Sequence, residues 1–161
     1  MRGAQYVNLR SRLCANLVSS AQNAAPVGQA GGAMTITRLR IGRLAEARAA
    51  EHLASLGYEI VSRNARTRQG ELDLIARDGR ALVFVEVKAT RAGSRVGPER
   101  PVLWVTPRKQ LQVRRLAAAW MAERRAAGSA PRYAEIRFDA VGLLLDRADV
   151  VLEIEHVVAA F

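Results

Sequence analysis

A chain of 161 residues, with 25 basic against 15 acidic side chains and a formal charge of +10, can hold one ordinary core but not two, and its charge fits a polyanionic partner, nucleic acid first. No apolar run approaches the roughly 18 residues that a spanning helix needs, so the chain reads as soluble. A single cysteine, Cys14, and two histidines, His52 and His156, exclude an internal disulfide and give no zinc-ligand spacing, and a reducing cytoplasm is the expected compartment.

Residues 1–33 carry Arg2, Arg10 and Arg12, no acid, and no sustained period. Residues 1–36 are therefore expected to be a disordered extension, with one folded domain over 37–161 and Met34 as an alternative start. A presequence is the sharper reading, but its apolar patch at 13–18 is interrupted by Asn16 and is poor for secretion. Without the extension the charge is 22 basic less 15 acidic, or +7, so the basic character belongs to the domain.

Residues 37–56 read as a helix, with Ile41, Ala45, Ala49, Leu53 and Leu56 on one side and Gly57 as its stop. Glu46 falls on the flank of that stripe, where a carboxylate either reaches inward or pairs with Arg43 in solvent. A strand is predicted over 58–65, and Arg63, Arg66 and Arg68 crowd the connection that follows.

Residues 70–88, GELDLIARDGRALVFVEVK, read as a hairpin turning through Asp78-Gly79. A two-residue loop there pairs Arg77 with Arg80, Asp73 with Phe84 and Glu71 with Glu86. Side chains alternate faces along a strand and cross-strand partners share a face, so Glu71, Asp73, Glu86 and Lys88 are expected together. Asp73 and Glu86 become diagonal neighbours, about 7 to 8 Å apart at the backbone, close enough to grip one cation. Hard carboxylate ligands of this kind suit Mg²⁺, which can polarise a phosphoryl oxygen and lower the pKa of water.

A loop over 89–106 carries Arg91, Arg95 and Arg100, as a phosphate-facing segment or as a plain connection. Thr106 then caps a helix that opens with Pro107, runs to about 127 and stops at Gly128, with Val113, Leu116, Ala117 and Trp120 as its buried stripe. Lys109 sits on the inward face at the positive end, placed to bind phosphate or to snorkel to water. Strands over 132–145 and 150–158 complete a sheet, with Asp139, Glu153 and Glu155 expected on its exposed side. The chain uses Arg 23 times and Lys only at 88 and 109, and a compact ammonium in an arginine-rich chain points to chemistry at those positions.

The GELDLI and VFVEVK segments, with 42–46 before them and Arg137-Phe138-Asp139 and 156–161 after them, resemble the YraN, or UPF0102, family over residues 38–161. That family is similar to the Holliday junction resolvases within the restriction-endonuclease-like, PD-(D/E)XK, nuclease superfamily, although Leu72 stands where the superfamily name has Pro. The resemblance implies an α/β fold with an α-β-β-β-α-β core, a central mixed sheet flanked by helices. It implies Asp73 and Glu86 as metal ligands, Glu46 as the acid completing the site, and Lys88 as the catalytic lysine.

The expected function is an endonuclease, dependent on Mg²⁺ or Mn²⁺, that hydrolyses DNA, branched or structured DNA included, as a homodimer. Arg66, Arg68, Arg91, Arg95, Lys109 and Arg115 are the candidates for backbone contacts that give affinity without sequence readout. The competing reading is a non-catalytic module binding nucleic acid or a partner, its acids held in salt bridges.

Overall fold

The computed structural model describes residues 6–9, 30–94 and 100–161, with side chains from residue 37 onward except those of 103 and 104. Helix α1 (Ala30–Ser55) lays Ala45, Ala49, Ala50 and Leu53 against one face of a sheet, and three alanines in that stripe let the helix backbone come close. It ends in a Schellman arrangement: Gly57 has a φ of 89°, the Tyr58 N–H donates to the Leu53 carbonyl at 3.0 Å, and the Gly57 N–H donates to the Ala54 carbonyl at 3.0 Å. The helix begins at Ala30, earlier than residue 37.

Strands β2 (Glu59–Thr67), β3 (Gly70–Asp78) and β4 (Ala81–Arg91) follow as an antiparallel meander. A short 3-10 turn at Pro101–Trp104 leads to helix α2 (Pro107–Ala126), and strands β5 (Glu135–Leu145) and β6 (Val151–Val157) close the chain. Thr106 caps α2, and Val113, Leu116, Ala117 and Trp120 are its buried residues, as their spacing predicts. They form a second core with Ile75, Leu82 and Phe84 on the sheet face away from α1.

Among the described residues the sheet has six strands in the order β1-β6-β5-β4-β3-β2, where β1 is Tyr6–Leu9. Among the described residues only β4 and β5 run parallel, joined by the crossover through α2. Residues 81–87 of β4 are buried throughout because helices cover both faces, which is why this strand reads as an almost unbroken apolar run. The sequence α1-β2-β3-β4-α2-β5 is a restriction-endonuclease-like α/β core, extended at one edge by β6 and β1.

Three expectations are corrected. Tyr6–Leu9 pairs with β6, from Tyr6 opposite Val157 to Leu9 opposite Ile154, where an unstructured extension is expected; an aromatic and a β-branched residue suit a pleated edge. Residues 1–5 and 10–29, Cys14 among them, lie outside the described residues.

The hairpin turns through Gly79-Arg80, with Asp78 opposite Ala81. Gly79 alone of the two has a positive φ, 57°, the pattern of a type II′ rather than a type I′ turn. Moving the loop one residue along the chain changes each pairing by two positions, and an even change leaves every side chain of β4 on its predicted face.

Asp139 is not an exposed strand residue but fully buried, 0 % exposed. Its carboxylate accepts from Arg137 Nε at 2.9 Å, His156 Nε2 at 2.9 Å and the Ala159 N–H at 3.0 Å. Arg137 also donates to Asp78 at 2.8 Å and to the Tyr58 hydroxyl at 2.7 Å. This network ties the C-terminal residues to β5, β3 and the start of β2, and it satisfies a charge that the core could not otherwise hold.

Candidate active site

The β3–β4 ladder stops at Leu74 opposite Val85. One residue further along β3, Asp73 no longer pairs as backbone; its carboxylate accepts the Val87 N–H of β4 at 2.8 Å. The side chain thus occupies the gap where the two strands separate. Across from it in β2, between the Arg63–Leu74 and Ala65–Leu72 pairs, stands Asn64 with a φ of 49°. Asparagine enters the left-handed region more readily than most residues.

The alternation of faces breaks here, because Leu72 and Ile75, three residues apart, share the α2-side core. That break answers for Glu71. It does not join Asp73 and Glu86 on one face, but is exposed and lies 3.8 Å from Arg66 on the neighbouring strand.

Glu86 lies at the centre of β4, 2 % exposed. Its Oε1 is in contact with Lys88 Nζ and lies 3.1 Å from Lys109 Nζ. Lys88 comes from the same face of β4 two residues on; Lys109 comes from the first turn of α2, where its own N–H donates to Thr106 Oγ1 at 3.4 Å. The only two lysines of the chain therefore converge on one carboxylate oxygen. Burial pushes the Asp73 carboxyl up to about 7, with the charge of Glu86 adding to the rise and the Val87 N–H, Lys109 and Lys88 opposing it.

A buried carboxylate, Glu86, and a half-buried one, Asp73, the latter kept from ionising cheaply at neutral pH, form a donor set that fits a hard divalent cation. Among the described residues no group of three acidic, histidine or cysteine side chains is gathered to hold a metal. Asp73 and Glu86 would supply the protein ligands, a number that suits Mg²⁺, which keeps several waters. Glu46 is half-buried on α1, where its Oε2 accepts from Asn64 Nδ2 at 2.5 Å.

The predicted backbone contacts separate. Lys109 is engaged with Glu86, and Arg91 with Asp149, its Nε 3.2 Å from Oδ1. Arg66, Arg68 and Arg115 are exposed, while Arg95 lies outside the described residues. Asn64 was not legible as a site residue, although an asparagine set among arginines in a strand is a signal of a broken backbone.

A restriction-endonuclease-like core with an acid pair and two lysines at the split of its central strands defines the class. Residues 45–143 match the family described as "Uncharacterised protein family UPF0102". The chain is 46% identical over 122 residues to a UPF0102 protein of Frankia casuarinae, covering 75% of this chain and 95% of that one. It is 45% identical to one of Acidothermus cellulolyticus (77% and 95% covered) and 42% identical to one of Moorella thermoacetica (80% and 100% covered). The chain belongs to the UPF0102 family.

Proposed function

We propose that this protein is a divalent-metal-dependent endonuclease that hydrolyses phosphodiester bonds in DNA, structured and branched DNA included. The observation that carries the reading is the convergence of Lys88 and Lys109 on Glu86 beside Asp73. Mg²⁺ or Mn²⁺ held by Asp73 and Glu86 would supply Lewis acidity to a phosphoryl oxygen and lower the pKa of water.

The chain's own residues supply the rest. The backbone N–H of Val87 fixes the Asp73 carboxylate, and Asn64, held by Glu46, braces the strand opposite it. Lys88, a quarter exposed, orients the attacking water and offsets negative charge that develops on the phosphate. Lys109, at the positive end of α2, anchors a phosphate oxygen. Two strands of a branched substrate require two such sites, so a homodimer accompanies the proposal.

The second reading, a binding module without cleavage, draws on the same lysines, which satisfy Glu86 without any metal. Labelled linear, flapped and four-way DNA incubated with Mg²⁺, Mn²⁺ or EDTA separates the two. The nuclease reading expects metal-dependent product from at least one substrate; no product under any condition supports the module.

No helix among the described residues is long and apolar enough to cross a membrane.

A further inference from the structure

Strand β2 forms one edge of the sheet, so the side of its backbone turned away from β3 pairs with no strand among the described residues. A cavity of about 510 Å³ runs beside it, touched by five consecutive residues of β2, 62–66. Successive strand residues point to opposite faces. A cavity that meets all five therefore lies along the strand's edge. The opposite wall is the C-terminal half of α2, with Trp120, Glu123 and Arg124. A second cavity of about 760 Å³ continues it past Arg66 and Arg68.

We propose that this groove seats one strand of DNA beside the scissile phosphate, with Arg63, Arg66 and Arg68 contacting successive phosphates. The inference rests on the proposed hydrolysis of DNA and locates the substrate on the molecule.

Charge supports it. Four arginines, Arg63, Arg66, Arg68 and Arg124, are among the residues that line the groove, against the single carboxylate of Glu123. Arg63 and Arg68 form no ion pair among the described residues, and Arg66, its side chain 85% exposed, meets only Glu71 at 3.8 Å. An exposed pair at that distance holds the guanidinium weakly.

Position supports it as well. Asn64 lines the groove and is the cross-strand neighbour of Asp73, and such neighbours lie about 5 Å apart. A backbone lying along β2 therefore passes beside the acid pair. Recognition is by phosphate rather than by base: Trp120 is 3% exposed, with the Arg124 guanidinium 5.3 Å from its ring centre, and offers no stacking platform.

The test is binding of a short labelled DNA duplex in EDTA, read by fluorescence anisotropy across a range of salt so that cleavage does not enter. Arg63→Ala/Arg66→Ala/Arg68→Ala is compared with the charge-matched Arg80→Ala/Arg132→Ala/Arg147→Ala, which alters exposed arginines away from the groove. The proposal expects the groove variant to lose about 3 from the slope of log affinity against log salt, one for each phosphate contact. It also expects at least tenfold weaker binding than wild type, with the control variant within about threefold.

Equal losses in both variants, or none in the groove variant, overturn the proposal. A loss confined to an RNA probe overturns it too and assigns the groove to a different ligand. A groove variant that binds poorly beside a wild type that never cleaves keeps the groove and removes the hydrolysis. Cleavage by wild type with unchanged binding by the groove variant does the reverse.

Discussion

Lys109 Nζ lies 3.1 Å from Glu86 Oε1, so an ammonium at the start of α2 meets a carboxylate buried in the middle of β4. The contact spans the crossover between the two parallel strands. It joins the second lysine of the chain to the acid that already holds the first.

Burial, and after it the charge of that carboxylate, raise its neighbour Asp73. With Asp73 at about 7 in the folded chain against an ordinary 3.8, the unfolded state gives up its proton first as pH rises. Stability from this group is highest below about pH 4 and is lost as pH climbs to about 7. Asp73→Asn removes the loss, so its melting temperature should exceed wild type by several degrees at pH 8 and match it near pH 4. Thermal melts across that range measure this, and in Glu86→Gln the Asp73 carboxyl should titrate lower by carbon NMR.

A divalent cation acts on the same imbalance. Ligands that bind only the folded state stabilise it by mass action. Millimolar Mn²⁺ or Mg²⁺ should raise the melting temperature of wild type at pH 8 and leave Asp73→Asn and Glu86→Gln unmoved. An equal rise in all three would show that the cation binds elsewhere.

Asp139 behaves oppositely. Burial pushes its carboxyl up, but the bonds from His156 and Arg137 and the Ala159 N–H outweigh burial and hold it below 3.8. Its contribution is present above about pH 4 and is lost as pH falls through the lowered folded value. Asp139→Ala leaves Arg137 and His156 without their shared acceptor and should cost about 3 to 5 kcal/mol by urea denaturation. Amide exchange at Ala159 should quicken in the same variant.

Gly142 sits opposite Lys88 in the parallel β4–β5 register, beneath the 3-10 turn. A methyl group added there would meet the Val102 backbone nitrogen at 2.8 Å. Gly142→Ala should cost about 1 to 3 kcal/mol by displacing that turn, with chemical denaturation as the readout.

Much of this was legible in the chain, because periodicity reports faces. The stripe of α2 stands where its spacing places it, and Glu86 and Lys88 share a face even though the turn is Gly79-Arg80, since the slip was even. Glu71 misled because strict alternation assumes a continuous ladder; the ladder ends at Leu74, and Asp73 and Asn64 mark the break. Asp139 misled for a different reason. An acid in a strand ordinarily faces water, and its burial depends on Arg137 and on His156 from the next strand, partners that only the tertiary pairing brings together. Glu46 bonds to Asn64, and among the described residues no group of three acids is gathered to hold a metal.

The most direct measurement is strand cleavage of labelled four-way DNA in Mn²⁺ by wild type, Glu86→Gln and Lys88→Met. Cleavage by wild type that falls by about 100-fold or more in both variants is the predicted result. Equal product from all three proteins, or none from wild type, would contradict the assignment of this acid and lysine cluster as a nuclease site.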